Sequence, residues 1–341
     1  MGNSLSEQRD EQDGRATAVV QLAAHLGCIT PPLTRVPRKS TFPGPSGLVS
    51  FPPMDDNLPS LPRIASIDLR AAGRDRMLDF YTRGLGLALL DQDDHALRLG
   101  PGTDRPLLTL HLDPSARPAP GRTTGLYHFA ILLPSRRDLA RALRNLLQHG
   151  YPLQGAADHL VSEALYLADP EGNGIELYAD RPRADWPRQD GKLRMATDPL
   201  DFEGLMAELS QDQAPWSGMP SATVIGHVHL KVAGIEEAES FYQDLLGFDL
   251  VTRYGASASF LSTDGYHHHV GLNSWESAGA PPPPDHAAGL LHFSLNQEKT
   301  ADLASLHSRA LSQGLSAQWR GEDLLLKDPS GNVVLLLAAK A

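Results

Sequence analysis

Cysteine is nearly absent from this chain. Cys28 is the only one in 341 residues, so no internal disulfide can form, and the composition fits a reducing, cytoplasmic setting. No activating neighbour is visible around Cys28, which reads as an inert thiol. Positive charge is also in short supply. Thirty Lys and Arg stand against 41 Asp and Glu, a formal net charge of −11, which argues against nucleic acid or an anionic membrane surface as a partner. No apolar run approaches the ~20 residues that cross a bilayer. The polar, acidic N-terminal stretch lacks the charged start and apolar run of a secretory signal.

What is present is ordinary in bulk and unusual in detail. Hydrophobic residues make up 41% and charged ones 21%, the balance of a soluble globular protein, and at roughly 100 to 200 residues per domain the length implies about two domains. Fourteen histidines are many, and their positions carry most of the functional information. Residues 1–60 are rich in Pro, Ser and Arg and read as a disordered extension with one short helix over residues 16–27.

From residue 62 onward the chain repeats itself. Ile64–Tyr81 aligns without a gap to Ile225–Tyr242, and both run on to a Leu-Gly turn at Leu85-Gly86 and Leu246-Gly247. Each copy predicts a strand of alternating polarity, a loop and an amphipathic helix. A second pair of openings, Gly125–Pro134 and Gly289–Asn296, is followed by predicted helices over 135–149 and 298–313. Both copies close on a hairpin turn, Asp169–Asn173 and Asp328–Asn332, that leads into an apolar strand. The pattern predicts an α+β fold of four βαβββ units beginning near residues 62, 125, 223 and 289. One such unit cannot bury both faces of a curved sheet, so the units should pair into two incomplete barrels. The expected domains are residues 61–182 and 223–340, joined by a linker over 183–222.

The segment from Asp158 to Asp180 places His159, Tyr166, Asp169-Pro170, Gly172 and Glu176 at distinctive spacing around one hairpin. Ile175 and Leu177 flank Glu176, so on a strand of period two the carboxylate points away from them, toward the inside of a barrel. A carboxylate aimed inward needs a cation or a hydrogen-bonded partner. His128 opens the second unit, and His227 and His229 share one face of the strand that opens the third.

The repeats, the Asp-Pro-x-Gly-Asn hairpins and the histidine strands resemble the vicinal-oxygen-chelate superfamily of glyoxalases, bleomycin-resistance proteins and extradiol dioxygenases. Over residues 62–340 the chain resembles the two-domain bacterial catechol 2,3-dioxygenases. Residues 158–180 fit the extradiol signature, with Ala157 a small departure two residues before the histidine. The resemblance implies an extradiol dioxygenase of aromatic catabolism that takes a catechol and O2, with His128, His227 and Glu176 holding Fe(II) or, alternatively, Mn(II). It further implies that His268, in Gly265–Leu272, is the acid-base residue, and that His159 and Tyr166 hydrogen-bond the substrates. Strand alternation would send His268 the opposite way from His267 and His269 unless a bulge intervenes, which keeps His269 as a second candidate.

Which units must pair follows from the ligand set. Aligned on the repeats, units three and four would offer His227, His292 and Leu335, which lacks a carboxylate, while units one and two would put Ser66 in place of His227 and leave Asp68 or His111 as substitutes. Only units two and three complete the set, within one chain or between subunits of a homo-oligomer; His292 then reads as structural. Two other readings remain open at this level. One is a glyoxalase-like lyase or isomerase, and the other a metal-free ligand-binding protein of the bleomycin-resistance type.

Overall fold

The computed structural model describes residues 63–339 apart from 190, 213 and 297–301. The N-terminal extension with its expected helix and Cys28 therefore lies outside the described residues, as does the start of the helix expected over 298–313.

Unit one comprises β1 (Ile64–Ala71), α1 (Arg74–Asp79), β2 (Ala88–Gln92), β3 (Ala96–Gly100) and β4 (Leu108–Leu112). Unit two follows with β5 (Gly125–Leu132), α2 (Arg136–Gln148), β6 (Gly155–Asp158), β7 (Ser162–Ala168) and β8 (Gly174–Asp180). The connecting segment holds a two-residue hairpin, β9 (Arg188–Gln189) with β10 (Lys192–Leu193), and the short helix α3 (Phe202–Ala207). Unit three comprises β11 (Val224–Lys231), α4 (Ile235–Ser240), β12 (Asp249–Tyr254), β13 (Ala258–Ser262) and β14 (Val270–Asn273). Unit four ends the fold with β15 (Gly289–Asn296), α5 (Leu303–Ser312), β16 (Ala317–Arg320), β17 (Asp323–Lys327) and β18 (Val333–Leu337).

Two eight-stranded sheets result, in the orders β16-β17-β18-β15-β1-β4-β3-β2 and β12-β13-β14-β11-β5-β8-β7-β6. Units one and four share the first and units two and three the second, joined by the antiparallel pairs β1·β15 and β11·β5. This is the pairing that the ligand set requires, and it forms within one chain. Each consecutive half of the sequence, 61–182 and 223–340, therefore gives one unit to each sheet.

The repeated motifs tie these interleaved units together. The Tyr81 hydroxyl at the end of the first helix donates to Asp169 in the hairpin turn of unit two at 2.8 Å, and Tyr242 repeats the bond to Asp328 of unit four at 3.4 Å. Both aspartates are buried and also accept from the backbone and the Asn side chain of their own turn. A buried carboxylate needs that many donors, which explains why the Asp-Pro-x-Gly-Asn turn and the Phe-Tyr helix end recur together. The helix α2 starts on Ser135, whose side chain accepts from the Asp138 N–H, and Leu139, Leu143 and Leu146 form its buried stripe. The outer faces of both sheets and the helices over them share one apolar core that includes Ile67, Leu69, Phe129, Ile175, Leu177, Val228 and Phe293. The opposite, inner face of the sheet of units two and three carries polar side chains.

Candidate metal centre and active site

Three neighbouring strands, β11, β5 and β8, each present one donor to that inner face: His227, His128 and Glu176. Ile175 and Leu177 lie in the core, so strand alternation turns Glu176 inward. In register, Ala130 of β5 stands between His227 and Glu176. Its methyl group leaves room for the two longer side chains to lean over the middle strand, where a bulkier residue would fill the space. Gly174 works in a similar way, because a Cβ there would strike the Tyr127 carbonyl beside His128.

The three donors converge. His227 Nε2 lies 3.1 Å from Glu176 Oε2 in a hydrogen bond, and His128 Nε2 lies 3.1 Å from the same oxygen. Only the first contact has hydrogen-bond geometry, so His128 Nε2 is a buried nitrogen without a hydrogen-bond partner. All three residues are buried, His227 at 0%, Glu176 at 3% and His128 at 6% exposure, and their ligand atoms fall within 4.8 Å of one another. No other such group occurs among the described residues.

Protonation favours a cation here. Burial pushes the His227 imidazole down to about 4 against the opposing pull of Glu176. Burial alone would raise the Glu176 carboxyl, but His227 and His128 outweigh it and hold it well below the usual carboxylate range. A neutral imidazole and an ionised carboxylate are the forms that bind metal. Two imidazoles with one carboxylate, one nitrogen of them orphaned in a buried site, fit a divalent first-row ion with open positions.

Beside this centre, Tyr166 on β7 is level with Glu176 in register, and its ring lies 5.8 Å from that of His128. Its hydroxyl is 2.7 Å from His159 Nε2, and His159 Nδ1 is 2.7 Å from the Ala196 carbonyl. A carbonyl only accepts, so the His159 Nδ1 proton points to it, while the Tyr166 hydroxyl also hydrogen-bonds the Glu176 carboxylate. Burial first, then the Glu176 charge, keeps the Tyr166 hydroxyl protonated far above its usual range.

His268 packs against His227 with ring centroids 4.1 Å apart. Burial, followed by His227 and His267, pushes its pKa well below the usual value, so it is a neutral base. His269 is directed elsewhere: its Nδ1 lies 3.0 Å from Ser262 Oγ and its ring stacks on Tyr266 at 4.8 Å. The alternation expected for residues 267–269 does not operate because the strand begins only at Val270. His267 and His268 consequently bring their Nδ1 atoms within 2.8 Å.

Several neighbours escaped the sequence reading. Ala196, Trp186 and the hairpin around them belong to the segment expected to be a linker, yet Trp186 is buried against Tyr266 and His267. Asp180 was legible in principle, since it lies four residues beyond Glu176 and so on the same strand face. His229, also buried, packs among Tyr127, His128, Phe260 and Trp275 with its Nε2 unpartnered. In the other sheet Asp68, His111 and His292 cluster away from this centre, with His111 Nε2 2.7 Å and His292 Nε2 3.5 Å from Asp68.

Comparison with known proteins agrees with this architecture. A family model for the glyoxalase/bleomycin resistance protein/dioxygenase superfamily matches residues 63–177 and 224–336. A catechol-2,3-dioxygenase of Bacillus subtilis (strain 168) is 45% identical over 258 residues, covering 75% of this chain and 90% of the relative. Among solved structures, glyoxalase I from Zea mays superposes with a TM-score of 0.51 at 17% identity, over 81% of this chain and 92% of that one. A candidate dioxygenase of Bacillus subtilis subsp. subtilis str. 168 gives 0.57 at 14% identity, over 82% and 87%.

Proposed function

Because the chain belongs to the glyoxalase/bleomycin resistance/dioxygenase superfamily, we propose that it is an extradiol dioxygenase, which opens a catechol ring beside one of its hydroxyl-bearing carbons with O2. The observation that carries this reading is the convergence of His128 and His227 on one oxygen of Glu176, with a neutral histidine, His268, packed against His227. Fe(II), or alternatively Mn(II), held by His128, His227 and Glu176 would supply the electron path between the diol and O2. Catechol plus O2 gives 2-hydroxymuconic semialdehyde with both oxygen atoms retained.

The remaining work falls to the chain. His268 takes the proton of a catechol hydroxyl and returns it later, a role suited to an imidazole that is unprotonated at neutral pH. The Tyr166 hydroxyl lies 2.7 Å from His159 Nε2 and also hydrogen-bonds Glu176, so tyrosine and histidine form one polar group beside the ligand carboxylate, against which a substrate hydroxyl would be oriented. His159 is itself held by the Ala196 carbonyl, so the segment between units two and three helps to orient the substrate. Burial of the ligand residues keeps bulk water from competing for these contacts.

The test is reconstitution with Fe(II) under anaerobic conditions, followed by catechol and air. Yellow ring-opened product that disappears in Glu176→Gln is the expected result. Bound metal without ring opening across a panel of catechols would overturn the proposal in favour of a glyoxalase-like isomerase, and absence of bound metal would favour a binding protein.

A further inference from the structure

Asp180 ends β8 and uses its two oxygens separately. Oδ2 accepts from the Tyr266 hydroxyl at 2.9 Å, and Oδ1 lies 3.0 Å from His267 Nε2. His267 is 1% exposed, with its ring 4.0 Å from Tyr266 and 5.4 Å from Trp186. Its second nitrogen, Nδ1, faces His268 Nδ1 at 2.8 Å. Two nitrogens at that distance share one proton, and the carboxylate decides which of them owns it. The carboxylate oxygen is the acceptor in this contact, so His267 carries its proton on Nε2. With the His267 proton directed to the carboxylate, Nδ1 is placed to accept, and the shared proton is assigned to His268 Nδ1. His268 Nε2 is then the nitrogen without a proton.

We propose that Asp180 and His267 are positioning residues that lock His268 in the Nδ1–H tautomer, so that its Nε2 is the base for the catechol hydroxyl. The use of this lock rests on the extradiol reading; the lock itself does not. When Nε2 takes the proton, the O–H bonding pair stays on the substrate oxygen, which becomes an anion, and His268 becomes an imidazolium. Its Nδ1–H remains bonded to His267 throughout, so the ring does not turn between accepting and returning the proton. The opposite tautomer would present an N–H to the hydroxyl and could not accept, which is the failure produced when the orienting carboxylate of a serine-protease triad is replaced by an amide.

Two readouts test this in the full-length protein. Imidazole 15N–1H NMR of the metal-free chain at neutral pH should show His268 protonated at Nδ1, and His267→Phe should convert it to a mixture of tautomers. In steady-state assays of the Fe(II)-loaded enzyme, His267→Phe should lower kcat by about 10- to 100-fold, the usual cost of removing a partner that orients a reacting or ligating group, with KM nearly unchanged. His267→Asn, whose side-chain oxygen can stand where Nδ1 stood, should recover most of that loss. A merely structural histidine would give the reverse order, because Phe keeps the ring volume and Asn does not. Should His267→Phe fail to fold, Asp180→Asn, which removes the charge but not the shape, should still perturb the His268 tautomer. His268 protonated at Nε2 in the unmodified protein would overturn the proposal even if ring cleavage occurs. Nδ1 protonation without ring cleavage would instead uphold the lock and overturn the extradiol reading.

Discussion

The two sheets share one strand order and one register, and among the described residues only one of them holds a candidate metal-binding set. In the sheet of units two and three, the row His227, Ala130, Glu176 crosses β11, β5 and β8. In the other, the matching row is Ser66, Ser294, Leu335 across β1, β15 and β18. The position of His128 is taken there by His292, whose imidazole lies near Asp68, its partner in register on β1, and Asp68 in turn engages His111. The backbone repeat thus creates two equivalent frames, and a carboxylate and a histidine on the outer strands of the row decide which frame can bind a cation.

The comparison breaks most completely at the ligands. Glu176→Gln or His227→Ala should remove bound metal and ring cleavage together, a loss exceeding the about 10- to 100-fold typical of an orienting partner. His292→Ala should leave both intact, and elemental analysis of purified protein beside a turnover assay separates the cases. Next in size, His268→Gln should keep the metal but lower kcat by about 10² to 10⁴, the range of general acid-base catalysis.

The frame of units one and four can also be pushed toward the other. Leu335 is buried, so Leu335→Glu alone should destabilise the fold by about 3 kcal/mol, the cost of an unpaired buried charge, measured by urea unfolding. Adding Ser66→His should recover part of that loss and raise the metal content from one ion per chain toward two. A single ion would show that His292 is held too firmly by Asp68 to join a new set.

Stability of the metal-free protein should depend on pH through the active sheet. Unfolded His227 binds a proton below about 6.5, whereas folded His227 does so only below about 4. Between those values the unfolded state binds more protons, so stability rises with pH across about 4 to 6.5 and is lost on acidification. At about 1.4 kcal/mol per unit the effect is on the order of 3 kcal/mol. Thermal melts across that window should show a shallower slope in His227→Gln. His292→Gln should flatten it less, since His292 is less completely buried than His227. The smallest contrast is between the two tyrosines: Tyr81→Phe should cost about 1 kcal/mol, and Tyr242→Phe less, because its bond to Asp328 is the longer one.

Much of this was legible in residue order. Period-two alternation around Ile175 and Leu177 turns Glu176 inward whatever lies beyond the strand, and the lack of a carboxylate at Leu335 was enough to require the pairing of units two and three. The His267–His269 segment was not legible, because alternation holds only within a strand and β14 starts at Val270. Nor was the contribution of residues 183–222, whose composition suggests a linker. Trp186 is buried and the Ala196 carbonyl is committed to His159 only because the sheet's inner face offers them a place to pack.

The sequence by itself determined the repeats, the α+β units and the choice of His128, His227 and Glu176 as candidate metal ligands, since these depend on local periodicity and on which side chains can donate to a cation. Tertiary structure alone decided that the donors meet at 3.1 Å over Ala130, that His268 rather than His269 packs on His227, and that Asp180 and His267 stand behind it. Those are distances between strands and loops far apart in the chain. They are set by register and packing, which no local pattern records.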